Sequence, residues 1–307
     1  MGAFMGKGIV LFGAGKEAEK IYKKNKENIV AMIDNKKNGS WNGIPIITLN
    51  EYKNKYEEYH IFIASLKYAK EIKEQLISFG ITNYSIPDEL FECEDVCHVT
   101  DISHDNWPNY LRDLCDKEGM EILEVGSRCV VGSVREYFTC ANYTGFDYYA
   151  GDNVDVVGDA HQLSEYFDKK FDLIFASAVF EHLAMPWVVA LEMIKLLKPN
   201  GYIFVETHYS YSSHERPWHF FQFSENALNV LFPEKFGIRC IMKGCSNLIR
   251  GEFSEESSSY LQGNLVGGLY CHSEFLGQKV EEVGTELSWD NVKLKDVVGS
   301  TQYPKQK

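Results

Sequence analysis

The chain has 307 residues, 45% hydrophobic and 24% charged, with a net charge of −13. That is a globular composition long enough for two cores, with no apolar run near the roughly 20 residues of a membrane-spanning helix. The acidic balance argues against a nucleic-acid partner, which needs basic patches, and favours a small-molecule one.

No basic-apolar signal opens the chain, and MGAFMGKG reads as an expression remnant or frayed end, so a cytoplasmic location without membrane insertion is expected. Residues 1–92 then read as a first α/β unit. Ile9 to Phe12 is a strand, Gly13-Ala14-Gly15 a turn, and Glu17 to Lys24 a helix. Gly13-x-Gly15-x-x-Ala18 follows a strand and opens a helix, the context of a dinucleotide fingerprint. Asp34 ends the next strand, Ile29 to Ile33, 21 positions after Gly13. Gly13, Gly15 and Asp34 are therefore candidate nucleotide-contacting residues, the alternative being glycines that only pack helix on sheet. Strands Pro45 to Thr48, His60 to Ala64 and Tyr84 to Ile86 follow, with helices near Glu51 to Tyr56 and Lys67 to Phe79. The unit is about half a full dinucleotide domain.

Residues 93–108 are acidic and aperiodic, and read as a linker. Eight cysteines are scattered, and Cys93, Cys97 and His98 form the only sequence cluster, without a second ligand pair at zinc-site spacing. Reduced thiols and no metal are expected.

Residues 109–284 read as a second Rossmann-like domain. A helix from Tyr110 to Lys117 precedes the strand Glu121 to Val125, closed by Gly126. Gly132 and Ser133 lead into VREYF, a candidate helix start. The strand Tyr143 to Phe146 carries Asp147, 21 positions past Gly126, and Val154 to Val157 ends in Gly158-Asp159-Ala160. In a parallel sheet these residues share the carboxyl-end rim where ligands bind, and an acid at that spacing suits ribose hydroxyls. Phe171 to Ala176 is a buried strand with Glu181-His182 at its exit. Pro186 starts a helix, Lys198-Pro199-Asn200-Gly201 ends it, and Tyr202 to Val205 leads to Glu206-Thr207-His208. YSYSSHERPWHFFQF, residues 209–223, is too polar for a core and too aromatic for an idle loop. Trp218 and Phe220 could cover an acceptor or pack in the core. Ser224 is a candidate N-cap, residues 267–280 a last strand, and 285–307 a surface extension.

Over residues 109–236 the glycine turn, Asp147, GDAH, FDLIFASAVFEHL and LLKPNGYIFVETH resemble the class I S-adenosylmethionine-dependent methyltransferases. The resemblance implies S-adenosylmethionine as cofactor, with Glu124 and Gly126 bordering its methionine part. Asp147 would hold the ribose diol and Asp159 with Ala160 the adenine; Ser127, Tyr148, His161 and Ser177 complete the cofactor candidates. Arg128 and Val130 depart from the family's G-x-G-x-G, and Arg128 is placed near the cofactor carboxylate. FGAG, AMIDN, NGIPII and IFIAS in the first unit resemble the N-terminal domain of bacterial sugar acyltransferases, which receives a nucleotide-sugar.

Methyl transfer to an alcohol needs positioning and a base, and histidine titrates near neutrality. His182, His208 and His219 are the candidates, with Glu181 and Glu206 able to orient an imidazole. The reading is a bacterial α/β protein with two Rossmann-like domains that O-methylates a sugar or nucleotide-sugar in polysaccharide or natural-product biosynthesis. A homodimer is one assembly this allows. A non-catalytic nucleotide-binding protein and a nicotinamide-dependent oxidoreductase using Gly13 are the competing readings.

Overall fold

The computed structural model describes residues 8–130, 132–282 and 287–297. The chain divides into two compact units, Met1–Asp95 with Leu248–Leu269, and Val96–Asn247 with Tyr270–Lys307. Residues 1–7 and 298–307, at the edges of the expected first domain and extension, lie outside the described residues.

The first unit runs β1 (Ile9–Phe12), α1 (Lys16–Asn25), β2 (Ile29–Ile33), β3 (Gly39–Trp41), β4 (Ile44–Ile47), α2 (Leu49–Lys55), β5 (His60–Ile63), α3 (Ala69–Ser78) and β6 (Tyr84–Ser85). Its sheet has the order β3-β4-β2-β1-β5-β6. Every pairing is parallel except that of the short edge strand β3 with β4. All four residues of β1 are buried, as a central strand covered on both faces requires. Ala18 and Ile21 turn the inner face of α1 onto it, and a Thr48–Glu51 capping box starts α2.

The second unit contains α4 (Trp107–Cys115), β7 (Glu121–Val125), β8 (Asn142–Asp147), β9 (Val156–Val157), β10 (Phe171–Ser177), α5 (Pro186–Leu196), β11 (Leu197–His208), α6 (Glu225–Leu231), β12 (Ile238–Glu252), β13 (Leu265–Lys279) and α7 (Leu294–Val297). The sheet order is β12-β13-β11-β10-β7-β8-β9, with β7 to β11 parallel and β13 antiparallel to β11. Strand succession reverses between β7 and β10, so the ligand crevice belongs at their carboxyl ends. Ile122 packs in one core with Leu111 and Trp107, and Leu123 in another with Val189 and Met193, because successive strand residues face opposite layers.

Several expectations are corrected here. The stretch expected as a linker contains fully buried Ile102 and, in α4, nearly buried Trp107. The helix expected after Gly132 is a single 3-10 turn, Val134–Tyr137, capped by the Ser133 hydroxyl. Lys198-Pro199-Asn200-Gly201 is a bulge in the pairing of β11 with β10, with Asn200 left-handed at φ 63°. In the expected surface extension, Leu287, Trp289 and Val292 pack against the second unit's core, and the Trp289 indole donates to the Trp187 carbonyl at 2.9 Å.

Candidate functional site

At the carboxyl ends of β7 and β8, backbone bonds join the two exit loops. The amides of Gly126 and Ser127 donate to the Phe146 carbonyl at 2.8 and 3.0 Å, and the Arg128 amide donates to Asp147 Oδ2 at 3.1 Å. Gly126 is left-handed at φ 84°, and a β-carbon there would collide with the Val179 side chain. The glycine is required by packing against Val179 as well as by any ligand. Asp147 Oδ1 accepts the Tyr149 amide at 2.9 Å, which leaves acceptor capacity on both oxygens. Arg128 stands over this carboxylate, with Nε 3.8 Å from Oδ1, and its guanidinium lies over the ring of Tyr149, while the next residue back, Tyr148, is exposed.

Glu124 is corrected by the structure. Its carboxyl turns inward, taking hydrogen bonds from the Tyr143 hydroxyl and from Asn153 Nδ2, and burial pushes it up to about 7 despite those bonds. It braces the loop because the polar groups that satisfy it come from β8 and its exit. Arg128, expected near a cofactor carboxylate, is held by Asp147 for the same electrostatic reason. At the next strand end Asp159 accepts the His161 amide at 2.9 Å and ring Nδ1 at 2.7 Å. These outweigh burial and hold the acid below its usual range. Ala160 begins the 3-10 turn that follows. The Ser177 hydroxyl is committed to Glu206.

A second group of side chains lies just past Val179. Ala178 is left-handed at φ 53°, fixed by its amide bond to the Glu206 carbonyl at 3.0 Å. That turn places Glu181, which is fully buried, beside the end of β11. Thr207 donates to Glu181 Oε2 at 2.5 Å, and His208 Nδ1 lies 2.8 Å from Glu181 Oε1. Burial would raise this carboxyl, but His208 and Thr207 keep it below the usual range. His208 stacks on Tyr211, with ring centroids 4.5 Å apart. His182 Nδ1 faces the Trp218 carbonyl at 2.9 Å, and its Nε2 lies 3.2 Å from Nε2 of His214. The His214 amide donates to His219 Nδ1 at 3.2 Å. Burial and the neighbouring His214 and His182 hold His219 below the usual imidazole range.

Of the aromatics in this stretch, Phe223 is core, whereas Trp218 and Phe220 are exposed. His214 went unselected in the sequence, and its one signal is a second histidine in the same polar-aromatic stretch. His104 and His272 stack on each other with centroids 3.9 Å apart, and His104 bonds Glu206. They come from distant segments and carry no sequence signal.

The first unit's candidates are used internally. Asp34 accepts the amides of Ala14, Lys36 and Lys37 at 2.8–2.9 Å, and Lys37 caps the Ala14 carbonyl. Gly13 is left-handed at φ 112°, and Gly15 is the N-cap residue of α1. Glu17, in the first turn of α1, takes hydrogen bonds from Ser65 and from the Leu66 amide. An acid thus already stands where a diphosphate would be expected. In this structure Gly13, Gly15 and Asp34, expected as nucleotide contacts, shape the turn itself.

A parallel sheet with its switch point between β7 and β10, and an acid at the end of β8, define a nucleotide-type rim in the second unit. Residues 102–239 match the family model described as a methyltransferase domain, and residues 5–87 match one described as C2185-like, N-terminal. Residues 102–239 of the second unit thus match a methyltransferase domain, in line with the S-adenosylmethionine cofactor that the sequence resemblance implies. The first unit's match gives the acyltransferase resemblance no support. No curated protein matches.

Among solved structures, the chain is similar to the YcgJ protein of Bacillus subtilis, at 15% identity and TM-score 0.41, over 59% of this chain and 100% of that one. An S-adenosylmethionine-dependent methyltransferase of Archaeoglobus fulgidus gives 14% and 0.40, over 58% and 97%. The N-methyltransferase NodS of Bradyrhizobium japonicum, in complex with S-adenosylhomocysteine, gives 16% and 0.34, over 53% and 79%.

The rim fits the cofactor in its donor set: Asp147 retains acceptors for a diol, and Asp159 follows at the next strand end. Among the described residues no helix is long and apolar enough to cross a membrane.

Proposed function

We propose that this protein transfers a methyl group to a hydroxyl of a small polar acceptor, a sugar, with Glu181 and His208 receiving the proton. The observation that carries the reading is the position of this pair. It is buried at the exit of β10 and the end of β11, two residues past the Val179 that packs against the glycine turn. S-adenosylmethionine supplies a methyl on a sulfonium, so the chain need only position the acceptor and take its proton.

Asp147 would hold the ribose hydroxyls, with Gly126, Ser127 and Tyr148 around it. Glu181, ionised and fully buried, would favour the imidazolium that forms on His208. His182 and His219 stand behind it through His214. Exposed Trp218 and Phe220 offer faces on which a sugar ring would stack. A free sugar suits the chain better than a nucleotide-sugar, because Glu17 and the bonded Asp34 leave no diphosphate cradle in the first unit.

Calorimetry with S-adenosylmethionine, followed by S-adenosylhomocysteine release against a panel of sugars, tests the reading. Micromolar cofactor binding and sugar-dependent release are expected. His208→Ala should lower kcat by roughly 10²–10⁴-fold while cofactor affinity is retained. No cofactor binding, or turnover indifferent to His208, overturns it.

A further inference from the structure

We infer that Glu181, His182, His208 and His214 form a binding site for a divalent transition-metal ion of the zinc class. One ligand atom each from Glu181, His208 and His214 lie within 4.8 Å of one another. His182 lies beside this trio as the fourth side chain, its Nε2 3.2 Å from Nε2 of His214 and 3.9 Å from Glu181 Oε1. Neighbouring ligands on a tetrahedral ion with bonds of 2.0–2.1 Å sit about 3.3 Å apart, so the His182–His214 pair already has that spacing and the other ligand atoms would draw inward on loading.

Protonation makes the case stronger. His182 Nδ1 faces the Trp218 carbonyl and His214 Nδ1 the Ser212 carbonyl, both at 2.9 Å. A carbonyl only accepts, so both Nδ1 atoms carry the hydrogen. With both rings neutral, both Nε2 atoms present lone pairs to each other at 3.2 Å, a contact that a shared proton or a metal ion between them relieves. Backbone carbonyls on the far nitrogens are also what orients metal-bound imidazoles.

The remaining two ligands face each other as an ion pair without an aligned hydrogen bond. Glu181 Oε1 and His208 Nδ1 are buried without a hydrogen-bond partner, although only 2.8 Å apart. They are close but misaligned, as two ligands aimed at a third point would be. By contrast, the neighbouring group of His104, Glu206 and His272 is bonded within itself through His104 and Glu206. Three imidazoles and one carboxylate select zinc and its neighbours over magnesium or calcium, which take oxygen ligands. This runs against the sequence expectation of no metal, because the ligands come from two strand exits and a loop rather than from one spaced motif.

The inference concerns binding and not the proposed methyl transfer: four protein ligands leave a tetrahedral ion no place for an acceptor hydroxyl, and a bound His208 could not take its proton, so the base role belongs to the metal-free protein. Binding itself does not depend on that reading. The test is titration of the full-length, chelator-treated protein with zinc(II) against a chromogenic chelator, and with cobalt(II) by visible absorption, both without S-adenosylmethionine. One equivalent per chain and a four-coordinate cobalt band are expected. His182→Ala and His214→Ala should each weaken zinc more than about 100-fold, beyond what loss of an outer partner costs. Each variant should keep its thermal unfolding transition and cofactor affinity. Failure to take up either metal overturns the inference, as does uptake that survives the His182→Ala/His214→Ala double variant or is lost in His104→Ala instead. Cofactor calorimetry on the same samples shows separately whether the methyltransferase reading stands.

Discussion

Asp147 is the residue on which cofactor binding is expected to turn. Asp147→Ala should weaken S-adenosylmethionine by about 1.5–3 kcal/mol, the scale of lost charge-assisted hydrogen bonds, read by calorimetry. Wild-type affinity in that variant would remove Asp147 from the site. Gly126 carries a different burden, since its left-handed backbone and the nearby Val179 side chain leave no room for a β-carbon. Gly126→Ala should cost the second unit about 1–3 kcal/mol in thermal unfolding, and adding Val179→Ala should recover part of it. A variant as stable as wild type would mean that the turn relaxes freely. Both residues were legible in the sequence because a glycine closing an apolar strand and an acid one strand later are local signals. The inward turn of Glu124 was not, since it depends on Tyr143 and Asn153 arriving from β8 and its exit. The convergence of His214 with His182 depends likewise on how a loop folds back.

At the scale of elements, apolar runs identified the buried parallel strands, whose residues face helices on both sides. Strand β12 escaped because its alternating small, polar and charged residues leave it only partly buried. The turn after β1 shows how a motif misleads. Its spacing matches a nucleotide fingerprint, yet Asp34 clamps three backbone amides and Glu17 occupies the first turn of α1. Asp34→Ala should therefore destabilise the first unit by about 1–2 kcal/mol in thermal melts, leaving S-adenosylmethionine affinity unchanged. If Asp34→Ala melts like wild type but loses protection by a nucleoside diphosphate, the turn is a ligand site after all.

Across the whole molecule, stability should depend on pH through Glu274. Its carboxyl is fully buried, with Oε2 unpartnered, and is pushed up to about 8 by burial and Glu206 against the opposing Ser246 hydroxyl. The folded value lies above the unfolded one, so the native state holds the extra proton. Stability from this group is complete below about pH 4.5 and is lost as pH rises through about 8, on the order of 5 kcal/mol in all. Glu274→Gln should melt higher than wild type at pH 8.5 and flatten the profile between pH 5 and 8.5; an unchanged profile would mean the acid is ionised or hydrated in place. Division into two α/β units was visible in the sequence, but the path of the last strands was not, since long-range pairing leaves no local mark. Leu248–Leu269 leaves the second unit and returns to it, and Leu248 and Leu265 pack on the first unit's core. A ribosome thus releases residues 1–95 about 150 residues before the segment that completes their unit is made. Nascent chains stalled before Leu248 should be cut by protease within the first unit, and those extended past Leu269 should resist.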